Sequence, residues 1–351
     1  MSKTNLGNFF EDFTPDQVLR HGTPRTATDG DRALYMALTG SRFALPSSDA
    51  FAQSLGYPRA PLDDLLAFHL VFGKTVPDIS LNAIANLGYA RCRFAQPVYP
   101  GDTLAAESRV IGLKENSNRK TGVVYVHSTG RNQRGETVVD FLRWVMVRKR
   151  DPEAPAPEPS VPELPDSVPV GDLAPPPGLD LSAYDCVLAA APHLWEDYAP
   201  GERIDHLDGM TIEEAEHQMA AHLYQNTAKV HFNQHVEQSG RFGRRIVYGG
   251  HVISLARALS FNGLENAFAI AAINGGTHCA PAFAGDTVYA WSEVLETLAL
   301  PGREDLGALR LRTVAAKDRA CGDFPYRGDD GAYDPAVLLD LDYTVFMPRR
   351  V

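Results

Sequence analysis

Cysteine is scarce and unpatterned in this chain: Cys92, Cys186, Cys279 and Cys321 form no CxxC pair and no regular framework. That excludes a disulfide-stapled scaffold and predicts reduced, mostly buried thiols. Long apolar runs are missing too, and no window approaches the roughly 18 apolar residues that a membrane span needs. The opening residues, Met1-Ser2-Lys3-Thr4-Asn5, lack the apolar core of a signal peptide. Positive charge is in the minority, with 33 Lys and Arg against 44 Asp and Glu and a net charge of -11. This balance opposes nucleic-acid binding as a whole-chain property and favours solubility, while leaving room for a local basic mouth. No HExxH and no Cys/His ligand spacing is present, so no metal is predicted; no GxSxG elbow is present, which argues against serine-centred catalysis. These absences predict a soluble, cytoplasmic protein with no membrane partner.

What the chain does have is a repeat. Pro97-Val98-Tyr99-Pro100-Gly101-Asp102-Thr103 returns 184 residues later as Pro281-Ala282-Phe283-Ala284-Gly285-Asp286-Thr287. Upstream, Arg59-Ala60-Pro61-Leu62-Asp63-Asp64-Leu65 holds the place of Arg245-Ile246-Val247-Tyr248-Gly249-Gly250-His251. A repeat this long indicates two copies of one domain, since solenoid units are far shorter. The length of 351 residues agrees with two domains, and 44% hydrophobic residues allow each its own core. The polar residues differ between the copies, which predicts one working half and one structural half.

Residues 151–179 hold ten prolines, including Pro175-Pro176-Pro177. Such a stretch favours extended geometry at about 3.1 Å per residue and reads as the linker that docks one copy on the other. The expected domains are therefore 1–150 and 180–351. In the first, Pro61 opens an apolar helix over 62–72, followed by strands at 83–94, 103–113, 121–128 and 137–147, with a turn at 131–136. In the second, a helix over 251–261 precedes strands at 268–273, 287–295, 308–315 and 337–346. The last turn there is expanded into 317–335. One long apolar helix wrapped by an antiparallel sheet, twice over, is an α+β arrangement.

The two Gly-Asp-Thr blocks, the apolar helix before each and the strand order resemble the MaoC-like double hot-dog enoyl-CoA hydratases. Three segments carry a closer similarity to the mesaconyl-CoA hydratase (β-methylmalyl-CoA dehydratase) family. They are residues 72–82, beginning Phe72-Gly73-Lys74-Thr75-Val76-Pro77-Asp78; residues 130–135, Gly130-Arg131-Asn132-Gln133-Arg134-Gly135; and residues 247–263, beginning Val247-Tyr248-Gly249-Gly250-His251. The resemblance covers nearly all of the chain outside the linker. It implies reversible hydration of mesaconyl-C1-CoA, an acyl-CoA partner, no cofactor, and a homodimer or higher oligomer.

The usual signature of that superfamily is Gly-Asp-x-Asn-Pro-x-His. Against it, Gln225-Asn226-Thr227-Ala228-Lys229-Val230-His231 places His231 on the family histidine and Asn226 on the family aspartate. In the first half Ser41 and Pro46 take those places, and neither can be a base. The resemblance therefore implies a site in the second half: His231 as base, the Gly250 N–H at the helix start as oxyanion donor, and Asn226 orienting water. Tyr248, Gly249 and His251 are expected to line it. Arg245 and Lys229, with Arg241 and Arg244, are candidates for the coenzyme A phosphates or a free acyl carboxylate. Asparagine cannot move protons, so either His231 makes both transfers or a carboxylate among Asp208, Glu213, Glu214 and Glu216 assists.

Plainer readings stand beside these. The residues alone do not separate His231 from His222, His235 or His251 among eleven histidines. Gly249-Gly250 also suits a helix packed closely on a sheet, Asp102 and Asp286 suit turns, and clustered acids suit a solvated face. The competing functions are an (R)-specific hydratase or dehydratase of another acyl group, a thioesterase using Asp63-Asp64, and a silent acyl-CoA binder.

Overall fold

Both Gly-Asp-Thr blocks form the same turn. Asp102 accepts the Tyr99 N–H at 2.9 Å, and Asp286 accepts the Phe283 N–H at 2.9 Å. Gly101 and Gly285 have φ of 103° and 93°, a region that a Cβ disfavours. Each turn exchanges two backbone hydrogen bonds with an upstream residue, Ala27 in one half and Ile212 in the other. Buried side chains repeat as well. His21, Ser108 and Ser128 form one hydrogen-bonded row, and His206, Ser292 and Thr313 form its counterpart.

The computed structural model describes residues 3–350. Its strands are β1 (Val18–Arg20), β2 (Arg25–Thr26), β3 (Ala83–Phe94), β4 (Thr103–Glu115), β5 (Thr121–Arg131), β6 (Thr137–Arg148), β7 (Arg203–Thr211), β8 (Ala269–His278), β9 (Thr287–Ala299), β10 (Leu306–Lys317) and β11 (Val337–Pro348). They form one antiparallel sheet in the order β1-β4-β5-β6-β3-β8-β11-β10-β9-β7, with β2 paired to β4. The halves join where β3 meets β8, from Tyr89 opposite Gly276 to Arg93 opposite Ala272. Each half curls around one central helix, Asp64–Thr75 or Gly249–Leu259, which is the double hot-dog arrangement. Both helices are buried over almost their whole length, and one core containing Leu65, Phe68, Phe72, Val252, Ile253 and Leu255 spans them. At their contact, His69 Nε2 lies 2.9 Å from Ser254 Oγ, a hydrogen bond between positions 185 residues apart.

The first central helix starts later than its sequence suggests. Asp63 caps it by accepting the Leu65 N–H at 2.9 Å, which leaves Pro61 outside the first turn. The second starts earlier, at Gly249, with Tyr248 in the N-cap position. Of the four candidate acids, Asp208 lies on β7, while Glu213 takes the N-cap position and Glu214 and Glu216 begin the helix Glu214–Leu223. β7 is an edge strand with mostly exposed residues and a φ of 61° at Leu207, so it carries no apolar alternation to read. Between the halves, residues 151–179 hold only an isolated bridge from Ser160 to Leu113 and a short 3-10 turn, Val170–Asp172. This segment is fastened by the Val168 N–H to Asn274 Oδ1 and by burial of Leu173 and Leu179. Among the described residues, no helix is long and apolar enough to cross a membrane, and no three His, Cys, Asp or Glu side chains group as metal ligands.

Candidate active site

His231 closes the 3-10 turn Lys229–His231, which follows the helix Glu214–Leu223. Its Nδ1 lies 3.0 Å from the Ile246 carbonyl oxygen. A carbonyl only accepts, so Nδ1 carries the proton and Nε2 keeps its lone pair. Burial pushes the imidazole pKa down to about 4, against the pull of the Ile246 carbonyl, so the ring is neutral at pH 7. The ring packs on Tyr248 with centroids 5.6 Å apart. Asn226 is buried on the same loop, and its Oδ1 accepts the Ala228 N–H at 3.0 Å. That leaves one oxygen lone pair and the Nδ2 hydrogens for a water molecule.

The second central helix begins beside this loop. Gly249 and Gly250 lie in its first turn, where N–H groups have no acceptor within the helix. A Cβ on Gly250 would lie 2.4 Å from the Tyr248 ring and 2.6 Å from His69, and one on Gly249 would lie 2.6 Å from His278. Close packing and free donors therefore coexist at these two glycines. Tyr248 contacts His69, Phe72 and Tyr224 at centroid distances of 5.5, 5.7 and 5.8 Å. His251 is buried with Nδ1 unpartnered, and burial, aided by His217, pushes its pKa to about 4.

The expected basic residues divide into two groups. Lys229 is exposed, and Arg241 and Arg244 are exposed with their guanidinium groups over Phe242 and, at 3.9 Å, Phe283. Arg245 is instead committed to Glu214 and Gln218, so it is not a free cation. The proposed carboxylate helpers also lie elsewhere. Glu214 is 3.5 Å from His217, Asp208 is 3.8 Å from Arg42, and Glu213 and Glu216 are exposed. They form the solvated face that clustered acids usually form.

Several first-half residues that build the site were not singled out from the sequence. A Cβ on Gly73 would fall 1.8 Å from the Tyr224 carbonyl oxygen, so only glycine lets the first helix pass the loop that leads to Asn226 and His231. Lys74 donates to Gln225 on that loop, and Phe72 packs on Tyr248. The Phe72-Gly73-Lys74 segment was visible as a motif, but its role was not. Arg143 on β6 is buried with its guanidinium 4.3 Å from the Phe72 ring centroid. The available signal was a charge between apolar neighbours in a strand, although Asp140 on the same strand is charged as well and is paired with Arg93 and His127.

The mesaconyl-CoA hydratase family model matches residues 2–326. The chain is 68% identical over 349 residues to the β-methylmalyl-CoA dehydratase of Chloroflexus aurantiacus, covering 99% of both chains. It is 60% identical to the mesaconyl-CoA hydratase of Cereibacter sphaeroides, over 99% of this chain and 100% of that one. Among solved structures, a MaoC domain protein dehydratase from Chloroflexus aurantiacus superposes with a TM-score of 0.98 at 68% identity over 100% of both chains. A double-hotdog protein of Mycobacterium tuberculosis shares the fold, with a TM-score of 0.74 at 24% identity over 97% of this chain and 98% of that one. With this likeness along nearly its whole length, the chain belongs to the mesaconyl-CoA hydratase family.

Proposed function

We propose that the protein reversibly hydrates mesaconyl-C1-CoA to β-methylmalyl-CoA, with His231 as the proton-transfer group. The observation that carries this reading is the fixed tautomer of His231: Nδ1–H is held by Ile246, and Nε2 is the free base. Nε2 takes a proton from water as the oxygen bonds to the carbon bearing the free carboxylate. The π pair moves toward the thioester oxygen, where the Gly250 N–H stabilises the charge. The imidazolium then returns its proton to the methylated carbon. Asn226 holds the water but moves no proton. One group making both transfers places H and OH on the same face of the double bond.

Lys229, Arg241 and Arg244 form the basic mouth for the coenzyme A phosphates in this reading. The protein acts in the cytoplasm as a homodimer or higher oligomer, and a monomer in sedimentation would remove that part. The first half is the pocket-shaping copy, with domain limits of 1–150 and 180–351 around the linker. At its helix start, Asp63 accepts the Leu65 N–H and Asp64 accepts the Ile270 N–H at 2.8 Å. Carboxylates engaged in this way are structural, so no thiol release is expected; release matching substrate loss would indicate a thioesterase. The direct test of the reaction is product stereochemistry in ordinary water, read from the vicinal coupling between the protons on the two new centres. Syn addition supports a single proton carrier, and anti addition would require a second group on the opposite face.

A further inference from the structure

Arg143 is the second-largest side chain that the fold buries completely, at 1% exposure. Its Nη2 donates to Thr75 Oγ1 at 2.9 Å, while Nε and Nη1 are buried with no hydrogen-bond partner. No carboxylate pairs with it among the described residues. Its surroundings are the Phe72 ring face and the hydroxyl-bearing rings of Tyr89 and Tyr248. Burial lowers its pKa only to about 10, so the cation persists at neutral pH. A buried charge without a counter-charge is costly, and the fold has met the same problem differently elsewhere. Arg257, also buried, interacts with Asp63 and Asp64 at the other helix start, and donates to Ser260 and Ala267. Arg257 therefore has acids of the chain beside it, whereas Arg143 has none among the described residues.

We propose that Arg143 is the receptor for a free carboxylate on the acyl group, and that it makes the enzyme select acidic over neutral enoyl thioesters. The proposal rests on the hydration reading above. In that substrate the carboxylate sits on the carbon that receives water, so its receptor must lie close to the base. Two rings connect them: Tyr248 contacts His231 and packs on Phe72, over whose face Arg143 lies. Nε and Nη1 are unpartnered donors on opposite sides of the guanidinium, and either can join the second N–H of Nη2 in a two-bond pair with a carboxylate. Arg245, one of the sequence candidates for either the phosphates or the carboxylate, is already held by Glu214. Arg241 and Arg244 are exposed, as suits phosphates.

The test compares kcat/KM for mesaconyl-C1-CoA with that for 2-methylcrotonyl-CoA, which has a methyl group in place of the carboxylate. Wild-type protein should favour the acid, and Arg143→Met should lower the acid-to-neutral ratio by about 100-fold or more, as expected for loss of a desolvated charge pair. Arg143→Lys, which keeps the charge but not the fork, should fall between them and serves if the Met variant does not fold. An unchanged ratio in a folded variant would overturn the proposal. Calorimetry with succinyl-CoA and butyryl-CoA gives an arm independent of turnover. Tighter binding of succinyl-CoA by wild type, lost in the variants, supports the receptor even if neither enoyl thioester is hydrated; equal binding of the two by wild type would overturn it. Ligand-free Arg143→Met should also melt at a higher temperature than wild type, which a merely structural arginine would not do.

Discussion

At the scale of single residues, two different neighbours set the properties of His231. Burial lowers its pKa to about 4, and the Ile246 carbonyl fixes its tautomer. Replacing it with alanine should lower turnover by about two orders of magnitude or more, measured as kcat in a protein that keeps its melting temperature. Because the neutral ring is the active form, activity should be flat from neutral pH downward and fall only near pH 4. Asn226→Asp brings a negative charge onto the same loop, which favours imidazolium and should move that acid limb to higher pH. A pH–rate profile of the two proteins checks both statements; an unmoved limb would place position 226 out of electrical contact with the base. Sequence spacing alone does not separate His231 from His222 or His235, because what distinguishes it is a carbonyl 15 residues away and the burial of its ring. Arg143 was illegible for a related reason: a charged residue in a strand reveals its missing partner only in three dimensions.

At the scale of elements, the strands were legible and the junctions between elements were not. The expected span 83–94 coincides with β3, and every other long strand starts within two residues of its expected position. Alternating β-branched and aromatic residues carry that signal well. β1 and β2 have three and two residues, too few to show a period, and β7 is an irregular edge. Helix starts shifted because caps override propensity: Asp63 draws one start past Pro61, and the glycines at 249 and 250 join the other helix. The contact between the first helix and the loop that carries Asn226 and His231 is the element-level weak point. Gly73→Ala should cost about 1–3 kcal/mol of stability, typical of overpacking, and lower kcat as the Tyr224 segment shifts. Gly171→Ala, where a new Cβ meets nothing within 4 Å, is the matched control. Denaturant unfolding and kinetics of the pair check this; equal stability would show that the loop yields freely.

At the scale of the whole molecule, five histidines are held neutral by burial or partial burial. Burial pushes His69 to about 3 and His206, His231, His251 and His278 to about 4. Unfolded, these rings titrate near 6.5, so between about pH 6.5 and 4 the unfolded chain binds more protons and stability falls as pH falls. Each such ring contributes about 1.4 kcal/mol per pH unit in that window. Asp63 and Asp64, both raised by burial and Asp64 to about 7, hold protons in the folded state that the unfolded chain gives up, so they oppose the trend as two groups against five. The melting temperature should therefore drop steeply from pH 7 to 5; a constant value would mean that these rings are hydrated in solution. The duplication itself was legible in the two Gly-Asp-Thr blocks, whereas contacts made across the halves, such as His69 with Ser254, were not.

The most direct test of the central claim is the loss of enoyl-thioester absorbance when the protein meets mesaconyl-C1-CoA, with crotonyl-CoA alongside. Rapid loss with the first and little with the second is the predicted result. Loss with crotonyl-CoA alone, or with neither, would contradict it.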